Sequence, residues 1–147
     1  MRNWRRAGYG ESAASMGTVL ELLRTAQELR AGVDAVLKPL GIGFARYEVL
    51  ALLMFSRSGA VPMHSISGGL GVHPASVTAA VAKLVDDGLA QRHPDPDDGR
   101  GSLISLTDSG IILMTQATAD LDRYLSRLGL TEEERRQIVQ IHRRVSP

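Results

Sequence analysis

Histidine side chains are the groups in this sequence best suited to bind a metal or to transfer a proton near neutral pH. The chain has no cysteine and four histidines, which are His64, His73, His93 and His142. No two of them lie four residues apart, so none forms the pair that places two imidazoles on one face of a helix. The acidic segment after His93, HPDPDD, has no second histidine nearby. The spacing does not match a metal-ligand pattern, and we expect no metal site.

Sequence motifs of enzyme active sites are also missing. The chain contains no G-x-S-x-G, no H-E-x-x-H and no P-loop, and two glycine-rich segments, GLGVHP and GRGSLI, lack the third glycine of a dinucleotide-binding loop. We therefore expect no catalytic residue and no cofactor, and an enzyme is the least favoured class of protein.

Residues 74–86 offer a different chemistry, contact with bases and phosphates. If this segment is a helix, its inward face is apolar and consists of Val77, Val81, Leu84 and Val85. The opposite face is small and polar, with Ala75, Ser76, Ala79 and Lys83, and with Thr78 at its edge. Hydroxyl groups can bond to bases or phosphates, and alanine can touch a thymine methyl group. The helix alone fits an ordinary solvent-exposed face equally well.

The segment HPDPDDGR, residues 93–100, is rich in turn-forming and charged residues. Asp98 and Arg100 are two residues apart, so on a hairpin tip the carboxylate can orient the guanidinium toward a narrow minor groove. Taken alone, this pair is better explained as a surface ion pair of little energetic value.

Apolar spacing predicts the elements that position these residues. Helical spacing covers 18–37, 45–56, 74–86, 109–128 and a last segment that carries Ile138 to Val145, with a weak helix over 63–70. Strand-like segments at 89–93 and 102–106 flank the turn-rich tip as a β-hairpin. The order of short helix, turn, helix and hairpin is that of a winged helix-turn-helix, with residues 93–100 at the tip of the wing.

Several helix ends are marked by residue type. His73 is a predicted N-cap before Pro74, a favoured first helical residue, and Gly88 ends that helix. Thr131 with Glu134 forms a capping box for the last helix.

Three strings carry a resemblance to a known family: GVHPASVTAAVAKLVDDGLAQR, then DPDDGR, then SLTDSG. They are similar in residue type and spacing to the core signature of the MarR family of winged-helix transcription regulators, and FARYEVLALL at 44–53 resembles the preceding helix in that family. The resemblance covers about residues 18–145. It implies a mainly α fold with a small β-hairpin wing in a single domain, 1–147. Residues 44–106 would form the winged helix-turn-helix, and helices from both termini, 17–40 and 108–145, would form the dimerisation region.

The resemblance also implies a function. We expect a ligand-responsive repressor that binds a palindromic operator in double-stranded DNA as a homodimer. The implied DNA contacts are His73, Ser76, Thr78, Ala79, Lys83, Arg92, Asp98 and Arg100. A small aromatic acid is the expected effector, in a pocket where the dimer helices meet the winged region. Its lining would be Leu23, Gln27, Arg46, Tyr47, Leu50 and Met114, with Arg46 as the partner of the acid.

The weak positive charge of the chain favours a second class of protein, an interaction module. The net charge is only +1, and residues 62–104 carry three basic and five acidic side chains, a balance of −2. Gly99 and Ala79–Ala80 stand where basic or polar residues are common in the family. A winged-helix protein–protein interaction module with weak or no DNA binding is therefore the alternative. No segment approaches the roughly 20 apolar residues of a membrane span, so we expect a cytoplasmic protein without membrane contact.

Overall fold

The computed structural model describes residues 10–70, 74–96, 98 and 101–145. Two predicted DNA contacts, His73 and Arg100, lie outside the described residues, as does the predicted N-cap at His73. The chain divides into two compact units, Met1–Phe44 and Ala45–Pro147. The single-domain boundaries inferred above stay a prediction.

The first unit is built on helix α1, Gly10–Leu37, which is followed by a 3₁₀ turn, Lys38–Leu40. The helix begins eight residues before the predicted start at Thr18, because apolar spacing marks only the part of a helix that has an apolar face. Gly41 then takes a left-handed φ of 72°. After this turn, the Phe44 backbone N–H donates a hydrogen bond back to Asp34 Oδ1 of α1 at 2.9 Å. This bond fixes the end of the first unit.

Apolar side chains of α1 are strongly exposed. Between 38% and 57% of the surface is accessible at Met16, Val19, Leu20, Leu22 and Leu23. By contrast, Leu37 and Ile42 are buried. Three of them, Val19, Leu22 and Leu23, belong to the helical apolar spacing predicted over 18–37.

The second unit contains the winged helix-turn-helix. Its helices are α2 (Phe44–Met54, which begins at the last residue of the first unit), α3 (Met63–Leu70), α4 (Pro74–Asp86), α5 (Asp108–Arg127) and α6 (Glu132–Val145). Its strands are β1 (Ala60–Pro62), β2 (Ala90–Pro94) and β3 (Ser102–Leu106). This order confirms the predicted fold class, mainly α with a small wing.

The wing belongs to a three-stranded antiparallel sheet in the order β1-β3-β2. The register pairs Ala90 with Leu106 and Pro94 with Ser102 in the hairpin, while Val61 of β1 pairs with Ile104 on the other side of β3. The sequence predicted a two-stranded hairpin and no strand at residues 60–62. That prediction was incomplete, because a three-residue strand is too short to show alternation.

The core of the second unit takes side chains from α2, α3, α4, β2, β3 and α5. Its buried side chains are Val49, Leu50, Leu53, Ile66, Val77, Ala80, Val81, Leu84, Ala90, Ile104, Met114, Ala117 and Leu121. The predicted inward face of α4 is confirmed at Val77, Val81 and Leu84, while Val85 is half-buried. Burial of these residues fixes which face of α4 meets solvent.

The described helices include none with the length and continuous apolar character that crossing a bilayer requires.

Candidate nucleic-acid interface

The solvent-facing side of α4 carries the side chains that the sequence assigned to it. Ser76, Thr78, Ala79 and Lys83 are all exposed. Val77, Ala80 and Val81, on the other side of the helix, are buried in the core. Hydroxyl and methyl groups therefore lie on a helix face whose one long side chain is Lys83. Such a face permits close approach to the edges of base pairs.

A glycine turn ends α4 at a fixed place. Gly88 has a φ of 70°, its N–H donates to the Val85 carbonyl at 3.0 Å, and the Leu89 N–H donates to the Leu84 carbonyl at 2.8 Å. This pair of bonds is the Schellman pattern, in which a left-handed glycine closes the helix. The chain then turns directly into β2, so the wing starts at a defined distance from α4.

Three of the predicted DNA contacts line one groove. Thr78 of α4, Arg92 of β2 and Asp98 of the wing turn border a cavity of about 390 Å³. The remaining lining residues are Met63, His64, Ser67, Val77, Gly101 and Ser102. The structure thus brings residues of the helix and of the wing to one groove.

Sequence reasoning missed the contribution of α3 to this groove. Met63, His64 and Ser67 lie at i, i+1 and i+4, a spacing that places them on adjoining faces of one helical turn. That spacing was available in the sequence, but a helix with two adjacent glycines gave little reason to examine its exposed face.

The wing turn is closed by backbone bonds around Asp98. The Gly101 N–H donates to the Asp98 carbonyl at 2.8 Å, and the Asp95 N–H donates to the Gly101 carbonyl at 3.3 Å. A Cβ at Gly101 would come within 2.9 Å of Asp98 Oδ2. Glycine at this position therefore leaves room for the Asp98 carboxylate. Its predicted pairing with Arg100 stays a prediction.

Lys83 has a partner within the protein. Its Nζ lies 2.7 Å from Asp87 Oδ1, and Arg46 Nη1 of α2 lies 3.0 Å from Asp87 Oδ2. The hydrogen bond from Lys83 is the main cause that lowers the pKa of Asp87, aided by the positive charges of Lys83 and Arg46 and opposed by partial desolvation. Asp87 thus joins α2 to the end of α4 and offsets the charge of both cations.

The predicted effector-binding residues have unequal surroundings. In the second unit, Leu50 and Met114 are core residues with at most 1% exposure, and the Tyr47 hydroxyl lies 3.4 Å from Thr118 Oγ1. Arg46 is the partner of Asp87 described above. In the first unit, Leu23 and Gln27 are exposed on α1.

Within the described residues, no three histidine or acidic side chains lie close enough together to hold a metal ion.

A hydroxyl group connects the start of α5 with the end of α4. Thr107 is the N-cap of α5, and its Oγ1 accepts a hydrogen bond from the Gly110 N–H at 3.1 Å. The same hydroxyl donates to the Gly88 carbonyl at 2.7 Å, and the Thr107 N–H donates to the Leu89 carbonyl at 3.2 Å. The string SLTDSG is thus the place where wing, α4 and α5 meet.

Helices α3 and α4, followed by the three-stranded sheet, define a winged helix-turn-helix protein. The sequence profile of the MarR family matches residues 45–102, and the identity to the solved member described next shows that the chain belongs to this family. Sco5413, a MarR family transcriptional regulator from Streptomyces coelicolor, is 42% identical in sequence to this chain. Its crystal structure superposes with a TM-score of 0.80, and the match covers 90% of this chain and 92% of that one.

Two further relatives extend the comparison. The HTH-type transcriptional regulator ML2140 of Mycobacterium leprae is 31% identical over 93 residues, 63% of this chain. That alignment spans just under two thirds of the relative's length, 65%. Sco3205 of Streptomyces coelicolor, a MarR family regulator solved in complex with DNA, shares the fold, with a TM-score of 0.85 at 22% identity over 91% of this chain and 90% of that one. The family consists of transcriptional regulators and not of enzymes.

Proposed function

We propose that this protein is a DNA-binding repressor that binds a palindromic operator as a homodimer. One observation carries the proposal: Thr78, on the exposed face of α4, and Arg92 of the wing border the same groove. A helix that enters the major groove beside a basic strand residue is the arrangement by which helix-turn-helix proteins contact bases and phosphates together. The DNA complex of Sco3205 shows that the shared fold accommodates DNA in that protein. Its place of action would be the cytoplasm, where bacterial DNA lies.

Exposed apolar side chains support the homodimer. Besides those of α1, further apolar side chains are each at least 37% exposed: Ile112 and Leu125 of α5, Leu128 at its C-cap, and Ile138, Val139, Ile141 and Val145 of α6. Apolar patches of this extent usually mark an interface. A second copy of the chain would cover the same surface on both subunits and would carry a second winged region, as a palindromic site requires.

We also propose a small aromatic carboxylate as effector. Arg46 supports this proposal, because its guanidinium already binds a carboxylate, that of Asp87, and a ligand acid would compete for the same donor. Benzoate should then raise the melting temperature of the protein, and benzamide, which has the same shape without the charge, should not. Equal shifts from the two compounds would contradict this role of Arg46.

The alternative, a winged-helix interaction module, is favoured by one observation. The only cation on the exposed face of α4 is Lys83, and its charge is offset by Asp87. Such a module would not distinguish one DNA sequence from another.

Selection of duplexes from a random-sequence pool tests the proposal. A repressor should enrich a palindrome with half-sites about 10 bp apart. Thr78→Val and Arg92→Gln should each weaken binding to the selected duplex by about 1–3 kcal/mol. Arg123→Gln, which removes an exposed arginine of α5 outside the groove, is the control. Enrichment of no sequence would favour the interaction module.

A further inference from the structure

We propose that Thr107 is a positioning residue that holds the start of α5 against the end of α4, and so sets the orientation of the DNA-binding helix relative to the dimerisation helix. The inference rests on the proposed function and goes beyond it, because it assigns a role to a residue outside the groove. It also explains why the string SLTDSG follows the wing.

The hydroxyl of Thr107 makes two bonds that point to different elements. As an acceptor it receives the Gly110 N–H at 3.1 Å, which is the ordinary work of an N-cap. As a donor it reaches the Gly88 carbonyl at 2.7 Å, in the turn that ends α4. A cap needs only the first bond, so the second must serve another purpose.

Backbone groups reinforce the same contact. The Thr107 N–H donates to the Leu89 carbonyl at 3.2 Å. Gly110 is buried in the first turn of α5, and a Cβ built on it would overlap the Leu89 carbonyl oxygen and lie 3.0 Å from the carbonyl carbon. A side chain larger than hydrogen therefore has no room between α5 and the turn.

The turn itself has little freedom. Gly88 and Leu89 close α4 through their bonds to Val85 and Leu84, and Leu84 is fully buried. Movement of the first turn of α5 must therefore displace the last turn of α4 or break the bonds of Thr107. Side-chain and backbone hydrogen bonds thus join α4 and α5 directly at this point.

This connection matters because α5 exposes Ile112 and Leu125, part of the surface that we propose for the dimer. A palindromic site is bound tightly only when both α4 helices reach their half-sites together. Loss of the Thr107 bonds should therefore reduce preference for the correct sequence more than attraction to DNA in general, which depends on charge.

Hydrogen exchange of the free protein tests the contact without DNA. Thr107→Val, which keeps the shape and loses the hydroxyl, should raise amide exchange at Gly88, Leu89 and Gly110 by about tenfold. Thr107→Ser should stay close to the native rates. Thr107→Asp, an N-cap that accepts but cannot donate, should restore protection at Gly110 alone. Native exchange rates at Gly88 and Leu89 in Thr107→Val would overturn the proposal.

Binding of the selected duplex and of a scrambled duplex tests the consequence. Thr107→Val and Gly110→Ala should each reduce the ratio of the two affinities by about tenfold, the effect of a mismatched base pair. Thr107→Ser should recover the native ratio, and all variants should sediment as the wild type does. Thr115→Val is the matched control, because Thr115 bonds only to the Ile111 carbonyl of its own helix at 2.8 Å in the described structure.

The two arms separate the possible failures. If the wild type selects no duplex, the proposed function fails, while the exchange rates still decide whether Thr107 holds the two helices. If the wild type selects a duplex and Thr107→Val keeps the native affinity ratio, the positioning role is wrong although the function stands.

Discussion

Single residues in this protein stabilise helix ends through reciprocal bonds, and the start of α6 is the clearest case. Glu134 Oε2 accepts hydrogen bonds from the Thr131 N–H and hydroxyl, both at 2.8 Å, and the Glu134 N–H donates to Thr131 Oγ1 at 3.2 Å. The Thr131 backbone N–H is the main cause that lowers the pKa of Glu134, and the hydroxyl bond adds to it. These bonds confirm the predicted capping box.

Glu134→Ala should lower the melting temperature at neutral pH, because it leaves the Thr131 N–H without its carboxylate acceptor. A carboxyl whose pKa is lowered by folding stabilises the protein above its unfolded pKa, and this contribution is lost as the pH falls through the folded value. The difference between wild type and variant should therefore shrink as the pH falls below 4.5, the ordinary pKa of a glutamate, and through the lower pKa of the folded state. Thermal melts from pH 3 to 7 measure it.

Glu132→Ala is the control for this prediction. It removes another carboxylate from the first turn of α6, so it changes the interaction with the helix dipole without touching the capping box. A pH-dependent loss of the same size in both variants would mean that charge, and not the capping box, stabilises this end of the helix.

Whole elements are joined by charge as well as by packing, and Asp87 joins α2 to α4. Asp87→Asn should weaken this connection and release the charges of Lys83 and Arg46. Binding to DNA of random sequence should then tighten, and its salt dependence should steepen by about 0.9 for each released cation that meets a phosphate. Titrations at several salt concentrations measure this slope.

Asp86→Asn is a closely matched control, because it removes the same charge from the neighbouring exposed residue. An equal change in both variants would assign the effect to net charge alone. The lowered pKa of Asp87 adds a second signature. Any loss of melting temperature in Asp87→Asn should be present at neutral pH and should shrink only as the pH falls below 3.8, the ordinary pKa of an aspartate, and through the lower pKa of the native carboxylate.

Elements with a local signal were predictable from the sequence, and contacts between distant elements were not. Apolar spacing predicted α4 to within a residue, and Thr131 with Glu134 follows from a spacing of three. The pair of Arg46 with Asp87 joins residues 41 apart, and no local pattern indicates it. The groove was predictable in part. Thr78 and Arg92 were assigned from residue type and from the resemblance to the family. His64 could not be assigned, because only the fold places α3 beside α4 and the wing.

The whole molecule presents more apolar surface than one chain covers, and α6 offers the simplest test of the dimer. Ile138→Glu places a charge on a side chain that is 53% exposed in the single chain and that we expect to be buried by a partner. The dimer should weaken by about tenfold or more, as measured by sedimentation across micromolar concentrations.

Gln140→Glu adds the same charge to an exposed polar position of α6 and should leave the dimer intact. A wild-type protein that sediments as a monomer at these concentrations would contradict the proposed homodimer. Equal weakening by the two variants would show that charge on α6, and not loss of apolar contact at Ile138, opposes association.

Prolines at the ends of the two edge strands, β1 and β2, protect the sheet against aggregation through its edges. An uncovered strand edge is a template on which a neighbouring chain can add its own strand, the first step of aggregation. Here β1 is three residues long and ends at Pro62, and β2 ends at Pro94, so each edge is short and lacks one amide donor. A protruding wing can thus remain exposed at high concentration, and association is left to the helices.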